Sequence, residues 1–244
     1  MTPDLSKIYH AYSKDHARYH PPISSNSDEW PEDWKTTYYK TYPRFEKIAL
    51  SDETLDSDCF TLIKNRRSSR NFTGVPISTR ELSILLKWSC GEMSTLERDR
   101  KRRAQPSGGS RFPIEIYPLV LHGDTISPGL YHYNVRDHAL DVLPPTPMNI
   151  EETDSLFTYR WVKDAAAIIL MTSVFWRTQN KYGERGYRYV SLEAGHIGQN
   201  LYLVAQALGL KCCALTGTRD IEIEKMLEID GVSESLVYAI AVGK

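Results

Sequence analysis

The strongest hydrophobic pattern in the chain covers residues 189–208. Apolar and small residues recur there at spacings of three and four, which is the period of one helix face. The pattern predicts a long helix with a wide apolar face, and its small residues allow a second backbone to come close. The positions that form it are Leu192, Ala194, Gly195, Ile197, Leu201, Val204, Ala205 and Leu208.

Shorter segments on both sides of this helix have the patterns of strands and short helices. Two runs separated by an Asn-Val-Arg-Asp turn predict a β-hairpin, and a uniformly apolar run predicts a buried strand. A Ser-Thr-Arg-Glu capping box predicts the start of a helix. Strands are predicted at 114–121, 129–134, 139–143, 165–171, 211–215 and 236–242, and helical segments at 60–64, 78–86 and 222–227.

Residues 1–58 lack such periodicity but are rich in aromatic side chains. Disordered tails are typically poor in aromatics, so the segment is interpreted as an N-terminal arm that packs on a core formed by residues 59–244. The histidines of the arm match no common metal-ligand spacing and are interpreted as surface or packing residues. With no internal repeat and no second core, the sequence predicts one α+β domain with this arm.

Charge and cysteine content narrow the functional classes. The 244 residues carry 30 basic and 31 acidic side chains, which gives no general electrostatic reason to bind nucleic acid or an anionic membrane. No apolar run is long enough to cross a bilayer, and the N-terminus lacks a signal-peptide hydrophobic region. We therefore expect a cytoplasmic protein with no metal site, and we expect Cys212 and Cys213 to be buried, reduced thiols in a strand.

A collar of charged and aromatic residues directly precedes the long helix. Burying such side chains is costly unless they face a cleft or a partner, so we interpret the collar as the edge of an active site. The alternative is a solvated surface collar, and Glu184 lies close enough in sequence to neutralise Lys181. The candidate residues are Lys181, Tyr182, Arg185, Tyr187 and Arg188.

Three loops have residue types that suit a bound ligand. Clustered arginines and a serine suit a phosphate, and glycines allow a backbone to approach a flat ligand. Taken alone, the first loop is more typical of a solvated basic turn and the second of an ordinary turn, and no Rossmann or P-loop pattern is present. The candidate positions are Arg66, Ser68 and Arg70 in the first loop, Ser107 and Gly108 in the second, and Thr216 and Gly217 in the third.

The order of these motifs resembles the nitroreductase superfamily. More narrowly, the chain is similar to the SagB-type branch, the flavin-dependent azoline dehydrogenases of thiazole- and oxazole-modified peptide biosynthesis. The resemblance covers about residues 59–244, and the arm around Tyr9 and His10 is also similar. The motifs are Arg-Arg-Ser-x-Arg at 66–70, Pro-Ser-Gly-Gly at 106–109, Lys-Tyr-Gly-Glu-Arg-Gly-Tyr-Arg at 181–188, Glu-Ala-Gly-His-x-x-Gln-Asn-Leu at 193–201 and Ala-Leu-Gly-Leu at 207–210.

The resemblance implies a fold, a cofactor and residue roles. It implies a mixed β-sheet flanked by helices in an intertwined homodimer, with FMN at the subunit interface. Arg66, Ser68 and Arg70 match the loop that holds the FMN phosphate and ribityl chain. Ser107 and Gly108 match a segment reaching the flavin from the other subunit, and Thr216 and Gly217 match a turn near flavin N5. Lys181 and Tyr182 match a catalytic pair, while Arg185, Tyr187 and Arg188 are expected to shape the substrate pocket or the dimer interface.

The resemblance also implies an activity. We expect an FMN-dependent dehydrogenase that oxidises azoline rings to azoles in a ribosomal peptide or a related natural product, with a separate cyclodehydratase as a possible partner. Two alternatives stay open: an NAD(P)H-dependent nitro- or quinone reductase, and a non-catalytic scaffold subunit. Neither the ring, the peptide nor the redox partner follows from the sequence.

Overall fold

A central six-stranded sheet organises the molecule in the computed structural model, which describes residues 5–13, 26–29, 58–93 and 102–244. The strand order is β5-β4-β3-β6-β8-β7, and β1 and β2 form a separate pair. The strands are β1 Glu92–Met93, β2 Arg102–Arg103, β3 Ile114–Val120, β4 Gly129–Asn134, β5 Ala139–Leu143, β6 Ala167–Val174, β7 Lys211–Leu215 and β8 Glu234–Gly243. The α-helices are α1 Leu5–Ser13, α2 Asp58–Asn65, α3 Thr79–Cys90, α4 Trp176–Tyr182, α5 Gly186–Ala207 and α6 Asp220–Met226.

The α+β class and the helices that flank the sheet are confirmed. The expected sheet was mixed, with parallel and antiparallel neighbours. In the structure, all five interfaces of the six-stranded sheet are antiparallel. Parallel pairing within the described residues is confined to the isolated bridges Ser68–Cys212 and Ile77–Gly123. A short hairpin and longer returns join neighbouring strands in opposite directions, and this connectivity produces the antiparallel order.

Helices α3 and α5 cover one face of the sheet. Leu82 and Leu85 of α3 and Ile197 and Leu201 of α5 are almost completely buried and share one apolar cluster with Ile116 of β3. Helix α6 and the segment around Phe157 cover the opposite face in a second cluster. The two clusters enclose β6, which is buried along nearly its whole length as its uniformly apolar sequence predicts.

Of two predicted helix starts, the structure confirms one and moves the other. The capping box at Ser78 is present, since the Ser78 side chain accepts from the Glu81 amide and the Glu81 side chain accepts from the Ser78 amide. Helix α5 begins at Gly186 rather than at residue 189. A Cβ at Gly186 would lie 3.1 Å from the backbone of Gln179, so the glycine allows the helix to start directly against α4. Part of the predicted collar is therefore helical.

Cys212 and Cys213 are buried free thiols in β7, as predicted. Most of the predicted N-terminal arm lies outside the described residues, including His16 and His20. The part that is described, α1, lies against the core: Tyr9 contacts Tyr187, and His10 contacts Phe175. Within the described part of the chain, no helix is long and apolar enough to span a bilayer, and no cluster of three or more His, Cys, Asp or Glu side chains is arranged to hold a metal.

Candidate functional site

The Lys181–Tyr182 pair lies at the end of α4 and packs on the loop that follows Ser107. Gly109 has a φ of 65°, and a Cβ there would lie 2.5 Å from the Tyr182 hydroxyl and 3.0 Å from Lys181 Nζ. Lys181 Nζ lies 5.2 Å from the centroid of the Tyr182 ring. Two of the predicted segments therefore meet at one place. A side chain at residue 109 would displace both groups, which gives the glycine a steric reason as well as a conformational one.

A buried carboxyl group accepts hydrogen bonds from the segment that leads into this loop. Glu193 of α5 is 3 % exposed and accepts a hydrogen bond of 3.2 Å from Gln105 Nε2. Burial raises the pKa of Glu193, although hydrogen bonds from Ser107 and Gln105 and the charge of Arg103 oppose the shift. The Ser107 hydroxyl also accepts from the Phe112 amide at 2.9 Å.

Glu193 was not among the candidate site residues predicted from the sequence. Its position three residues after Val190 and four before Ile197, both fully buried, placed it on the inward face of the helix. That spacing could have identified Glu193 as a buried carboxyl group.

The arginine loop lies at the other end of α5, along the edge strand β7. The Ser69 amide donates to the Cys212 carbonyl at 3.0 Å, and Ser68 Oγ lies 2.9 Å from the Tyr202 hydroxyl. The Arg66 guanidinium lies 5.4 Å from the centroid of the Tyr202 ring, and the Tyr202 hydroxyl accepts from the Ala214 amide at 2.8 Å. Tyr202, which the sequence analysis also missed, thus joins the loop to β7.

No carboxylate among the described residues forms an ion pair with Arg66 or Arg70. Arg67 donates instead to the carbonyls of Lys64 and Arg66, at 2.9 and 2.8 Å. A loop with several guanidinium groups and no carboxylate to neutralise them suits an anion such as a phosphate.

The turn after β7 brings Thr216 and Gly217 to the same edge of the sheet. Thr216 is exposed, whereas Gly217 is buried. The Gly217 carbonyl accepts from the Thr158 amide at 2.8 Å, and a Cβ at Gly217 would lie 2.0 Å from Thr158 Oγ1 and 2.6 Å from the Tyr159 ring. The glycine is required by this close packing, which fixes the direction of the turn next to Thr216.

The predicted site residues form two groups that do not meet within one chain. Lys181, Tyr182, Ser107 and Gly108 lie near the start of α5, where a Cβ at Gly108 would lie 3.6 Å from the Tyr189 ring. The arginine loop contacts Tyr202, thirteen residues further along a helix of 22. At 1.5 Å per residue this separates the groups by about 20 Å. A ligand shorter than this separation cannot touch both groups within one chain.

The three predicted pocket residues behave differently. Arg185 and Arg188 are exposed, and Arg185 Nε donates to the Tyr189 hydroxyl at 3.2 Å. Tyr187 turns inward, stacks on Phe175 with centroids 5.3 Å apart and places its hydroxyl 2.9 Å from His10 Nδ1. Lys181 is exposed in the single chain.

Comparison with known proteins identifies related chains. The nitroreductase family matches residues 63–244. The putative nitroreductase MJ1384 of Methanocaldococcus jannaschii is 32 % identical over 187 residues, which are 77 % of this chain and 88 % of the relative. The microcin B17-processing protein McbC of Escherichia coli is 28 % identical over 229 residues, 85 % and 82 % of the two chains. The trifolitoxin-processing protein TfxB of Rhizobium leguminosarum is 32 % identical over 172 residues, 66 % of this chain and 46 % of that protein.

Two solved structures share the fold. A chain of the E. coli microcin synthetase McbBCD complex, with truncated pro-MccB17 bound, superimposes with a TM-score of 0.74 at 20 % identity, over 98 % of this chain and 91 % of that one. A putative nitroreductase from Desulfovibrio desulfuricans in complex with FMN gives a TM-score of 0.53 at 19 % identity, over 78 % and 87 %. The first match extends over almost the whole chain.

Proposed function

This chain belongs to the nitroreductase family, and we propose that it is an FMN-dependent dehydrogenase that oxidises azoline rings to azoles in a ribosomal peptide or a related natural-product intermediate. The observation that carries the proposal is the packing of Lys181 and Tyr182 on the Gly109 loop, which holds a candidate base beside a segment expected to reach the flavin. The similarity to two peptide-processing proteins supports the choice of substrate class.

The residues along β7 suit FMN. Arg66 and Arg70 have no carboxylate partner among the described residues, and with Ser68 they would bind the phosphate and ribityl chain. Thr216 is exposed at the turn after β7, where a backbone amide would lie near flavin N5 and stabilise negative charge on the reduced ring. When bound, FMN supplies the hydride acceptor that no amino-acid side chain provides.

We propose that the active form is a homodimer, because the two groups of site residues lie about 20 Å apart along one helix. Helix α5 exposes 60 % of Leu192, and a Cβ at Gly195 would meet nothing within 4 Å. Helices α2 and α3 both pack on α5 and expose Phe60, Ile63 and Trp88 by half or more. Monomeric proteins rarely expose so much apolar surface on adjacent elements, and a second copy would cover it.

Oxidation of an azoline to an azole removes a hydride from one ring carbon and a proton from its neighbour. Bound FMN would supply the hydride acceptor, and the proton requires a base within hydrogen-bond reach. Lys181 is that base in this proposal, and Tyr182, whose ring lies beside Lys181 Nζ, orients the amine or shares the proton. Molecular oxygen would be the oxidant that completes the cycle. The azoline itself would come from a separate cyclodehydratase, which is the class of enzyme that closes such rings.

A second function, reduction of a nitro or quinone compound by NAD(P)H, is favoured by the similarity to MJ1384, named as a putative nitroreductase. Such a reaction needs the same flavin site but no base at Lys181. The two functions therefore differ in their dependence on this residue.

The proposal is tested with an azoline-containing peptide and mass spectrometry of the product, which has lost two hydrogen atoms per ring. Lys181→Ala should slow oxidation by about 100-fold or more, the usual contribution of a positioned base, while the protein still binds FMN. Lys225, a 67 % exposed lysine on α6, provides the matched control, and Lys225→Ala should oxidise at the wild-type rate. Equal rates for both variants would overturn the role of Lys181.

A further inference from the structure

Two arginines join the loop of residues 109–112 to helix α4 by reciprocal hydrogen bonds. Arg111 Nε of the loop donates to the Arg177 carbonyl of α4 at 2.7 Å, and Arg177 Nη1 donates back to the Phe112 carbonyl at 3.1 Å. A longer contact of 3.4 Å joins Arg111 Nη2 to Asn180 Oδ1. Each guanidinium group thus binds the backbone of the other segment, an arrangement that we call the Arg111–Arg177 clamp. The proposed reaction assigns no role to either arginine.

A carboxylate anchors the Arg177 guanidinium to the sheet. Arg177 Nη1 contacts Glu115 Oε1 of β3, and the two side chains are 35 % and 15 % exposed. The other oxygen of Glu115 lies 2.9 Å from His132 Nε2 of β4. The remaining ring nitrogen of His132 lies 3.2 Å from Asp141 Oδ2 of β5. Arg177 is therefore linked through Glu115 and His132 to three neighbouring strands.

The groups that surround Glu115 are charged in the folded protein. Burial raises the pKa of Glu115, but the hydrogen bond from His132 and the charge of Arg177 outweigh it and hold the pKa below its usual value. An ionised carboxylate only accepts, so both His132 nitrogens, each of which faces a carboxylate oxygen, must carry protons. The hydrogen bond to Glu115 raises the pKa of His132 against the effect of burial. With a cation at each of its oxygens, Glu115 fixes the position of the Arg177 guanidinium.

The loop that the clamp holds has a strained backbone. Gly109, Ser110 and Phe112 have positive φ angles of 65°, 55° and 47°, and only the first of them is a glycine. Other residue types are disfavoured in this left-handed region and persist there only where surrounding contacts over-determine the conformation. The Phe112 amide donates to Ser107 Oγ at 2.9 Å, and the Phe112 carbonyl accepts from Arg177. The clamp therefore supplies one of the two hydrogen bonds that fix Phe112.

The clamp and the Lys181–Tyr182 pair lie at opposite ends of one contact between the loop and α4. Gly109 faces Lys181 and Tyr182, whereas Arg111 faces Arg177. The two segments run antiparallel, and Arg177 precedes Lys181 by four residues, about 6 Å along the same helix face. Helix α4 has only seven residues, fewer than the about 12 that an isolated helix needs. Its position therefore depends on contacts such as this clamp.

We propose that Arg111 and Arg177 are positioning residues for Lys181. Their clamp keeps residues 109–112 in the strained conformation against α4, and Lys181 Nζ thereby stays beside the Gly109 backbone, from where it would take the substrate proton. The inference rests on the proposed function in that Lys181 is the base. The ordering of the loop by the clamp does not depend on that reaction.

The direct test is amide hydrogen exchange in the full-length protein, followed by NMR without FMN or substrate. Arg111→Gln opens the clamp, while Glu115 keeps both Arg177 and His132, so the fold is retained. We expect the Phe112 amide to exchange about threefold to tenfold faster, the effect of one hydrogen bond. Arg136→Gln, at an exposed arginine in the turn between β4 and β5, should exchange at the wild-type rate. An unchanged Phe112 amide in Arg111→Gln would overturn the clamp.

Kinetics of the FMN-loaded protein on an azoline peptide then decide whether the clamp serves Lys181. Arg111→Gln should lower kcat by about threefold to tenfold with little change in KM. In a Lys181→Ala background the same substitution should have no further effect on kcat, because a positioning residue acts through the group that it positions. Losses that multiply in the double variant, or a change in KM alone, would overturn the positioning role.

Failure of the proposed function gives a different result. A wild-type protein that binds FMN but oxidises no azoline would contradict that function and, with it, the service of the clamp to a base. The exchange rate of the Phe112 amide would still decide whether Arg111 and Arg177 order the loop.

Discussion

At the scale of single residues, the buried carboxyl group of Glu193 leads us to expect that the stability of the fold depends on pH. Burial raises its pKa in the folded chain, so its contribution to stability is greatest when it is protonated and is lost as the pH rises through the folded value. Glu193→Gln removes this dependence, because an amide keeps a donor and an acceptor for Gln105 and Ser107 without a charge to bury.

Thermal unfolding checks this prediction. Between about pH 5 and pH 8, the wild type should lose stability relative to Glu193→Gln, and a difference of about 1 kcal/mol would shift the Tm by about 2–4 °C. Tm values that change in parallel for both proteins would show that Glu193 is charged in the fold throughout this range.

Tyr202 makes a second prediction at this scale. Tyr202→Phe removes the acceptor of the Ala214 amide and the partner of Ser68, which should cost about 1–2 kcal/mol of unfolding free energy and also weaken FMN binding. Tyr131 is a matched control, since its hydroxyl donates to the Ser127 carbonyl at 2.8 Å and its strand, β4, is separated from β7 by three strands. Tyr131→Phe should lose stability but keep its FMN affinity; equal FMN losses would refute a specific role for Tyr202.

Residue types and local spacing identified the candidate site residues but not the side chains that pack against them. The arginines, the glycines and the Lys-Tyr pair were found because each motif is contiguous in sequence. Tyr202 and Glu193 were not, because their partners are 134 and 88 residues away and only the packing of α5 on the sheet brings them together. His10 was interpreted as a surface or packing residue for the same reason: its partner Ser235 is 225 residues away.

At the scale of secondary structure, the apolar period predicted most of α5 correctly but not its first turn. A 3.6-residue apolar period is visible from residue 189 onward, whereas Gly186 to Arg188 have polar or small side chains and carry no period. The hairpin of β4 and β5 was predicted because its turn and its alternation are local. The antiparallel order of the whole sheet depends on contacts between distant strands and could not be read from local patterns.

The exposed face of α5 allows the proposed dimer interface to be tested. Leu192→Arg places a charge in the proposed dimer interface, where burying it without a partner is costly, so the variant should be a monomer that has lost FMN. Val142 is similarly exposed, at 66 %, on the edge strand β5, and Val142→Arg should remain dimeric. Light scattering coupled to gel filtration distinguishes the outcomes. A dimeric Leu192→Arg would place the interface elsewhere.

At the scale of the whole molecule, the sheet, the long helix and the arm together position the two groups of site residues. Helix α5 carries one group at each end, and the arm reaches the first end through His10. This division explains why a single chain presents both an arginine loop without carboxylate partners among the described residues and an exposed Lys181. The proposed function requires flavin chemistry that starts from the azoline rather than from NAD(P)H.

The most direct measurement is the absorbance spectrum of the FMN-loaded protein, followed without oxygen as an azoline-containing peptide is added and, separately, NADPH. We predict that the azoline bleaches the flavin band, that admitting oxygen restores it, and that Lys181→Ala bleaches far more slowly while Lys225→Ala does not differ from the wild type. Bleaching by NADPH with no response to the azoline would contradict it and assign the protein to the reductases of its family.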